Sequence, residues 1–146
     1  MNDLILALRK TLATNFALYL KTHMFHWNVQ GPNFPEYHAF WSDIYEDLFD
    51  QTDTLAEFLR QLDQPAPGSL TVYSQISEVK DEDGFPSAQG MFAQFMIDNQ
   101  TMINIYQALY DAAEVTRDHQ ISNYAADRLG AHKKHAWMVR SILKAQ

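Results

Sequence analysis

The sequence predicts an all-α domain: four long helices and a short fifth, packed as one bundle. Three observations carry this. Apolar residues recur at three- and four-residue steps in four long stretches. Helix breakers are few, five Gly and five Pro, and they concentrate at the gaps between those stretches. The chain has 146 residues, 47% of them hydrophobic, which suits one core and is too short for two comfortable ones. Residues 1–146 are therefore read as a single domain.

The first helix should run from about Asn2 to Val29, on the rhythm of Ile5, Leu8, Leu12, Tyr19, His23 and His26, until Gly31 and Pro32 stop it. Asn33 then has the character of an N-cap, with Glu36 at the capping-box spacing. The second helix should span Phe34 to Leu62. At 100° per residue, Tyr37, Trp41, Ile44, Leu48, Leu55, Leu59 and Leu62 gather into one stripe about 60° wide. Tyr45, Phe49, Thr52 and Ala56 form a second, weaker stripe. A helix with two apolar faces expects two partners, its own bundle and another subunit. Residues 63–86 hold Pro65, Pro67, Gly68, Gly84 and Pro86, yet the stretch is too long for an empty loop. Val72, Ile76 and Val79 predict a short helix within it. The third long helix, about Ser87 to Val115, carries Phe92, Phe95, Met96, Met102, Ile103, Tyr106 and Leu109. The fourth, about Asp118 to Lys144, carries Ile121, Ala125, Leu129, His132, Ala136, Val139 and Leu143. One long crossover between the second and third long helices is the connectivity of ferritin-like bundles.

Composition narrows the chemistry. There is no Cys, so disulfides, thiolate catalysis and iron–sulfur clusters drop out. The net charge of −7 favours attraction of cations over DNA or anionic membranes. No apolar run approaches the roughly 18 residues of a membrane span. Arg9 and Lys10 interrupt the apolar N-terminal stretch, which reads as a helix of the mature protein, and a cytoplasmic location is expected.

The metal-ligating candidates are His26, His38, Asp53 and Glu57. Asp53 and Glu57 stand at i, i+4 and flank the second apolar stripe, so both can reach one cation. Imidazole with carboxylate and no thiolate suits iron or a similar first-row metal. Asp53 lies fifteen residues from His38, about 22 Å along a helix axis. Groups that far apart on one straight helix cannot share an ion, whereas a two-fold related copy brings one end beside the other. Taken singly, these residues also read as solvated helix carboxylates and boundary histidines. Trp27, Trp41 and Tyr45 are expected in the core. His23, His119, His132 and His135 are expected to be structural or surface residues, with His132 a hydrogen-bonded core histidine.

The stretch LYLKTHMFHWNVQGPNFPEYHAFWSDIYEDLFDQTDTLAEFLRQL, residues 18–62, closely resembles the Dps family, the mini-ferritins known as DNA-binding proteins from starved cells. HWNVQGPNF, a following His and then D-x-x-x-E carry the likeness, and HKKHAWMVRSIL at residues 132–143 resembles the family's last helix. The resemblance implies a ferritin-like four-helix bundle with a short helix in the crossover, assembled as a dodecameric homo-oligomer. It implies a ferroxidase that oxidises Fe(II) with hydrogen peroxide or dioxygen, stores ferric iron and protects against oxidative damage. It also implies sites at two-fold dimer interfaces, with His26 and His38 from one chain and Asp53 and Glu57 from the other. Ser42 departs from the family's H-x-x-x-D pattern one turn after His38; Asp43 points elsewhere on the wheel, and Glu46 points correctly but lies about 12 Å along the axis. A competing reading is a shell or DNA-associated protein with a degraded, Ser42-containing site. The family's DNA role is not expected here, because Arg9 and Lys10 fall inside the first helix, Lys144 stands alone after the last one and the net charge is −7.

Overall fold

The computed structural model describes residues 2–144 and contains five helices: α1 (Asp3–Asn28), α2 (Phe34–Gln61), α3 (Leu70–Ile76), α4 (Ala88–Val115) and α5 (His119–Leu143). α1 pairs with α2, α4 pairs with α5, and α1 also packs on α4, which closes a four-helix bundle. α3 lies in the crossover against α1.

Local chemistry sets the helix ends. Asn2 Oδ1 accepts from the Ile5 amide at 2.9 Å, Ser87 Oγ from Gly90 at 3.1 Å and Asp118 Oδ1 from Ile121 at 3.2 Å. Gly31, at φ +122°, turns the chain between α1 and α2, a conformation that side chains resist. Asp63 and Arg117, both left-handed, follow α2 and α4. Asn33 does stand at the start of α2, but its side chain caps nothing and instead lies 3.4 Å from the Tyr37 hydroxyl. The reason is local: Asn33 takes φ −101° and ψ 24°, outside the extended conformation that aims a capping side chain back at the first helical amides.

The long stripe of α2 faces the core as expected. Trp41, Ile44, Leu48, Leu55 and Leu59 are buried, and Trp41 stacks on Phe92 at 4.9 Å and meets Phe25 at 5.1 Å. Leu8, Leu12, Phe95, Met102, Tyr106, Leu109, Ala125 and Val139 complete the centre. Val79 is buried too, but not as part of the short helix, which ends at Ile76. Ser77 Oγ accepts from the Val79 amide and donates to the Val79 carbonyl, a local turn that competes with another helical turn. The crossover is tied to α1 through Lys10–Glu78 at 3.2 Å and Lys21 Nζ donating to the Lys80 carbonyl at 3.0 Å.

Candidate metal centre

α1 keeps a buried face to its end, at Leu18, Thr22, Phe25 and Val29, and carries a second face beside it. Tyr19, His23 and His26 are only half-buried and turn toward the second stripe of α2. The last carbonyls of a helix have no partner within it. His26 sits in that last turn, and its carbonyl oxygen receives His38 Nδ1 at 2.7 Å. The contact is reciprocal, since His26 Nδ1 lies 2.7 Å from the His38 carbonyl oxygen. The two rings stack at 3.7 Å with 16° between their planes, and Phe34 covers the His38 ring at 4.9 Å.

A carbonyl oxygen can only accept, so each Nδ1 must carry the proton and donate. In the neutral ring this fixes the tautomer and leaves Nε2 with a free lone pair. Two such lone pairs presented side by side form a preorganised donor pair for a cation. A ligating histidine whose other nitrogen donates to a carbonyl is the usual outer support of a metal ligand.

Asp53 and Glu57 are exposed on α2, toward its far end. α2 is continuous from Phe34 to Gln61, so fifteen residues put Asp53 about 22 Å from His38. The structure therefore brings His26 and His38 together and leaves the two carboxylates apart from them. Among the described residues, no group of three or more His, Asp or Glu is placed within one chain to hold a metal. Ser42 Oγ donates to Glu46 Oε1 at 3.4 Å, one turn beyond the histidine pair.

Two features were not foreseen. Trp27 is not a core residue: it is 57% exposed and lies beside His23 at 4.2 Å. It lies two residues from buried Phe25 and from buried Val29, on the side of α1 turned away from the core. Tyr45 is half-buried and stacks on His23 at 3.8 Å and 8°. The other feature is a polar network inside the bundle. Arg128 binds Asp47 through two hydrogen bonds of 2.9 and 2.6 Å. His132 Nδ1 donates to Asn99 Oδ1 at 2.8 Å, and Asn99 Nδ2 donates to the His132 carbonyl at 2.8 Å. The expectation of a hydrogen-bonded core histidine at 132 holds. His135 is buried beside Asp47 at 3.7 Å. Burial, and then the Arg128 charge, push the His132 pKa well below its ordinary value. Burial also lowers His135, to about 4, against the opposing pull of Asp47.

A family model for the ferritin-like domain matches residues 5–145. The DNA protection during starvation protein of Helicobacter pylori is 31% identical, over 93% of this chain and 95% of that protein. The chain belongs to the Dps family of ferritin-like proteins. An uncharacterized low temperature-induced protein of Nostoc is also 31% identical, over 95% of this chain and 79% of its own length. Among solved structures, Dps from Staphylococcus aureus superposes with a TM-score of 0.94 at 26% identity, covering 99% of this chain and 97% of that one. A Vibrio cholerae DPS protein, described as a member of a broad superfamily of ferritin-like diiron-carboxylate proteins, gives 0.92 at 27% identity, covering 97% and 89%. This Dps-family fold has no helix, among the described residues, long and apolar enough to cross a membrane.

Proposed function

We propose that this chain assembles into a closed, dodecameric shell that oxidises Fe(II) with hydrogen peroxide or dioxygen, stores the ferric product and so limits oxidative damage. Each site is shared between two subunits, His26 and His38 from one and Asp53 and Glu57 from the other. The reciprocal Nδ1 bonds of the two histidines carry the reading, because they free both Nε2 atoms at one edge of the bundle. The carboxylates on the same helix lie about 22 Å away, a span that an antiparallel copy of α2 closes. Iron is the substrate, and imidazole with carboxylate is a donor set that suits it.

His26, Asp53 and Glu57 hold the better iron position. His38 serves the second, which lacks the carboxylate that Ser42 replaces. Two dications held close together need negative ligands to offset their repulsion, so the second iron binds weakly or through water. The test is anomalous scattering from Fe(II)-loaded crystals, with Fe(II) oxidation measured against a protein-free control. One strong and one weak peak per site are expected. Ser42→Asp should fill the second position and speed oxidation, while Asp53→Ala or Glu57→Ala should abolish tight binding. Two full irons in the native protein would overturn the assignment to Ser42. No oxidation above the control would leave the competing reading, a shell with a degraded site, which Ser42 alone favours. Duplex DNA is not a partner in this reading, because −7 per chain opposes phosphate. A gel shift in the presence of a chelator should show no retention.

A further inference from the structure

The second half of α5 carries a face that the single chain leaves unused. Residues 128–146 hold five Lys or Arg and no carboxylate, in a chain whose net charge is −7. At 100° per residue, Lys133, Trp137 and Arg140 fall within about 60° of one another, and Lys144 follows at the helix end. All four are exposed, Trp137 at 56%. Cations in the last turn of a helix complement its carbonyls, which accounts for Arg140 and Lys144. It does not account for Lys133, well back from that turn, or for an exposed indole set between cations. Among the described residues, none of these cations has a carboxylate partner within the chain.

The opposite chemistry stands on the crossover. Residues 78–83 hold four carboxylates and one Lys. Glu78 pairs with Lys10, and Glu82 Oε2 accepts from the Gly84 amide at 2.9 Å. Asp81 and Asp83 are exposed and, among the described residues, have no ion-pair partner. Phe85, two residues on, is 76% exposed. One patch is thus an aromatic ring among unpaired cations, the other an aromatic ring beside unpaired carboxylates.

Both patches lie toward one end of the bundle. Asn99 meets His132 across the antiparallel pair α4 and α5, so the start of α4 at Ala88 is level with the end of α5 at Leu143. Phe85 immediately precedes that start. Among the described residues no ion pair joins the two patches within the chain. Complementary patches side by side that do not meet in one chain can meet between copies set around an axis, each giving its basic face to the next one's acidic segment.

The proposed shell needs such a contact, because a two-fold pairing through α2 satisfies both its members and stops at dimers. We propose that the α5 face of Lys133, Trp137 and Arg140 docks on residues 81–85 of a neighbouring copy, and that this head-to-tail contact joins dimers into the shell. The inference rests on the shell of the function proposed above and is independent of its iron chemistry. Trp and Arg concentrate binding energy at interfaces, and opposed charges fix register and partner. Salt screens such a contact but does not weaken the apolar stripe of α2, so high salt should release dimers rather than monomers.

Native mass spectrometry and light scattering on the intact chain, with circular dichroism to confirm the helices, test this. The shell should dissociate to dimers in about 1 M sodium chloride. Lys133→Glu combined with Arg140→Glu should raise the protein concentration at which shells dissociate roughly 100-fold. Asp81→Lys combined with Asp83→Lys should do the same. The chain with all four substitutions should regain the shell, because its charges are exchanged rather than lost, a rescue that a merely structural role would not give. Unchanged shells in either double variant, or no rescue in the combined chain, would overturn the contact and leave the shell reading standing. If the native chain never exceeds a dimer, the shell reading fails and the contact falls with it. If both double variants keep the shell, and the native protein retains a labelled single-stranded oligonucleotide that Lys133→Glu with Arg140→Glu releases, the face serves phosphate and the proposal is wrong.

Discussion

His26 and His38 share one edge of the bundle, whereas His132 and His135 sit inside it, and the two pairs put the same ring to opposite uses. At the edge, each Nδ1 is committed to a backbone carbonyl and each Nε2 is left free. Inside, His132 gives Nδ1 to Asn99 and faces the Arg128 guanidinium with Nε2 at 3.4 Å. The inner rings are buried and held neutral, beside a guanidinium that Asp47 already neutralises. Ferritin-like di-iron proteins build their metal sites from carboxylates and histidines in the bundle core. Here a fixed side-chain cation occupies such an interior, and the open donor pair lies outside. Partner satisfaction, more than residue type, separates a structural histidine from a candidate ligand.

The sharpest way to break the inner region is to leave its cation unpaired. Asp47→Asn strands the Arg128 guanidinium, whose side chain is only 8% exposed, and should cost about 3 kcal/mol. Arg128→Met should cost less, because the Asp47 carboxylate, 30% exposed, can recover water. Urea unfolding at fixed protein concentration, followed by circular dichroism, compares the two. Equal losses would mean that the pair is more solvated than its geometry implies. Neither variant should alter metal binding at the edge.

Acid should act on the inner pair in the same direction. Unfolded histidines take up protons as pH falls through about 6.5. Folded His135 does not do so until about 4. The unfolded state therefore binds more protons in that window, and stability falls as pH drops from 6.5 to 4, by up to about 3 kcal/mol from this ring. His132 shifts in the same sense. Urea midpoints measured across that range should decline, and His135→Phe should flatten the decline by about one proton. An unchanged slope in that variant would place the linkage elsewhere.

Much of this was readable from local pattern. The four long helices followed from period and breakers, and the edge histidines from the HWNVQGPNF phrase and the His that follows. What escaped was set by contacts between distant segments or by local backbone conformation. Arg128 and Asp47 stand 81 residues apart, and helical period says nothing about which polar residues meet across a bundle. Trp27 reads as an apolar core residue, but it stands on the opposite side of α1 from buried Phe25. Asn33 matched a cap signature that its own backbone conformation, φ −101° and ψ 24°, cancels. Asp53 and Glu57 stand exposed and apart from the histidine pair, so in the proposed site their role depends on a second copy.

The smallest expected stability effect separates the two pairs most cleanly. His26→Ala removes one side chain–carbonyl bond, frees a second carbonyl's donor to reorient, and ends a ring stack. A neutral hydrogen bond is worth about 1 kcal/mol net, and a stacked aromatic pair about 0.5–1 kcal/mol beyond its area. Both rings are half-buried, so water replaces much of what is lost, and the net cost should stay near 1 kcal/mol. His132→Ala removes a fully buried ring, leaves Asn99 Oδ1 without its donor and opens a cavity, so it should cost about 2–3 kcal/mol. Metal binding should show the reverse order. Anaerobic titration with Co(II), read from its visible bands, should lose the tight site in His26→Ala and retain it in His132→Ala. Loss of cobalt binding in both variants, with both shells intact, would mean that the inner histidines also serve the metal and that the division between edge and interior is wrong.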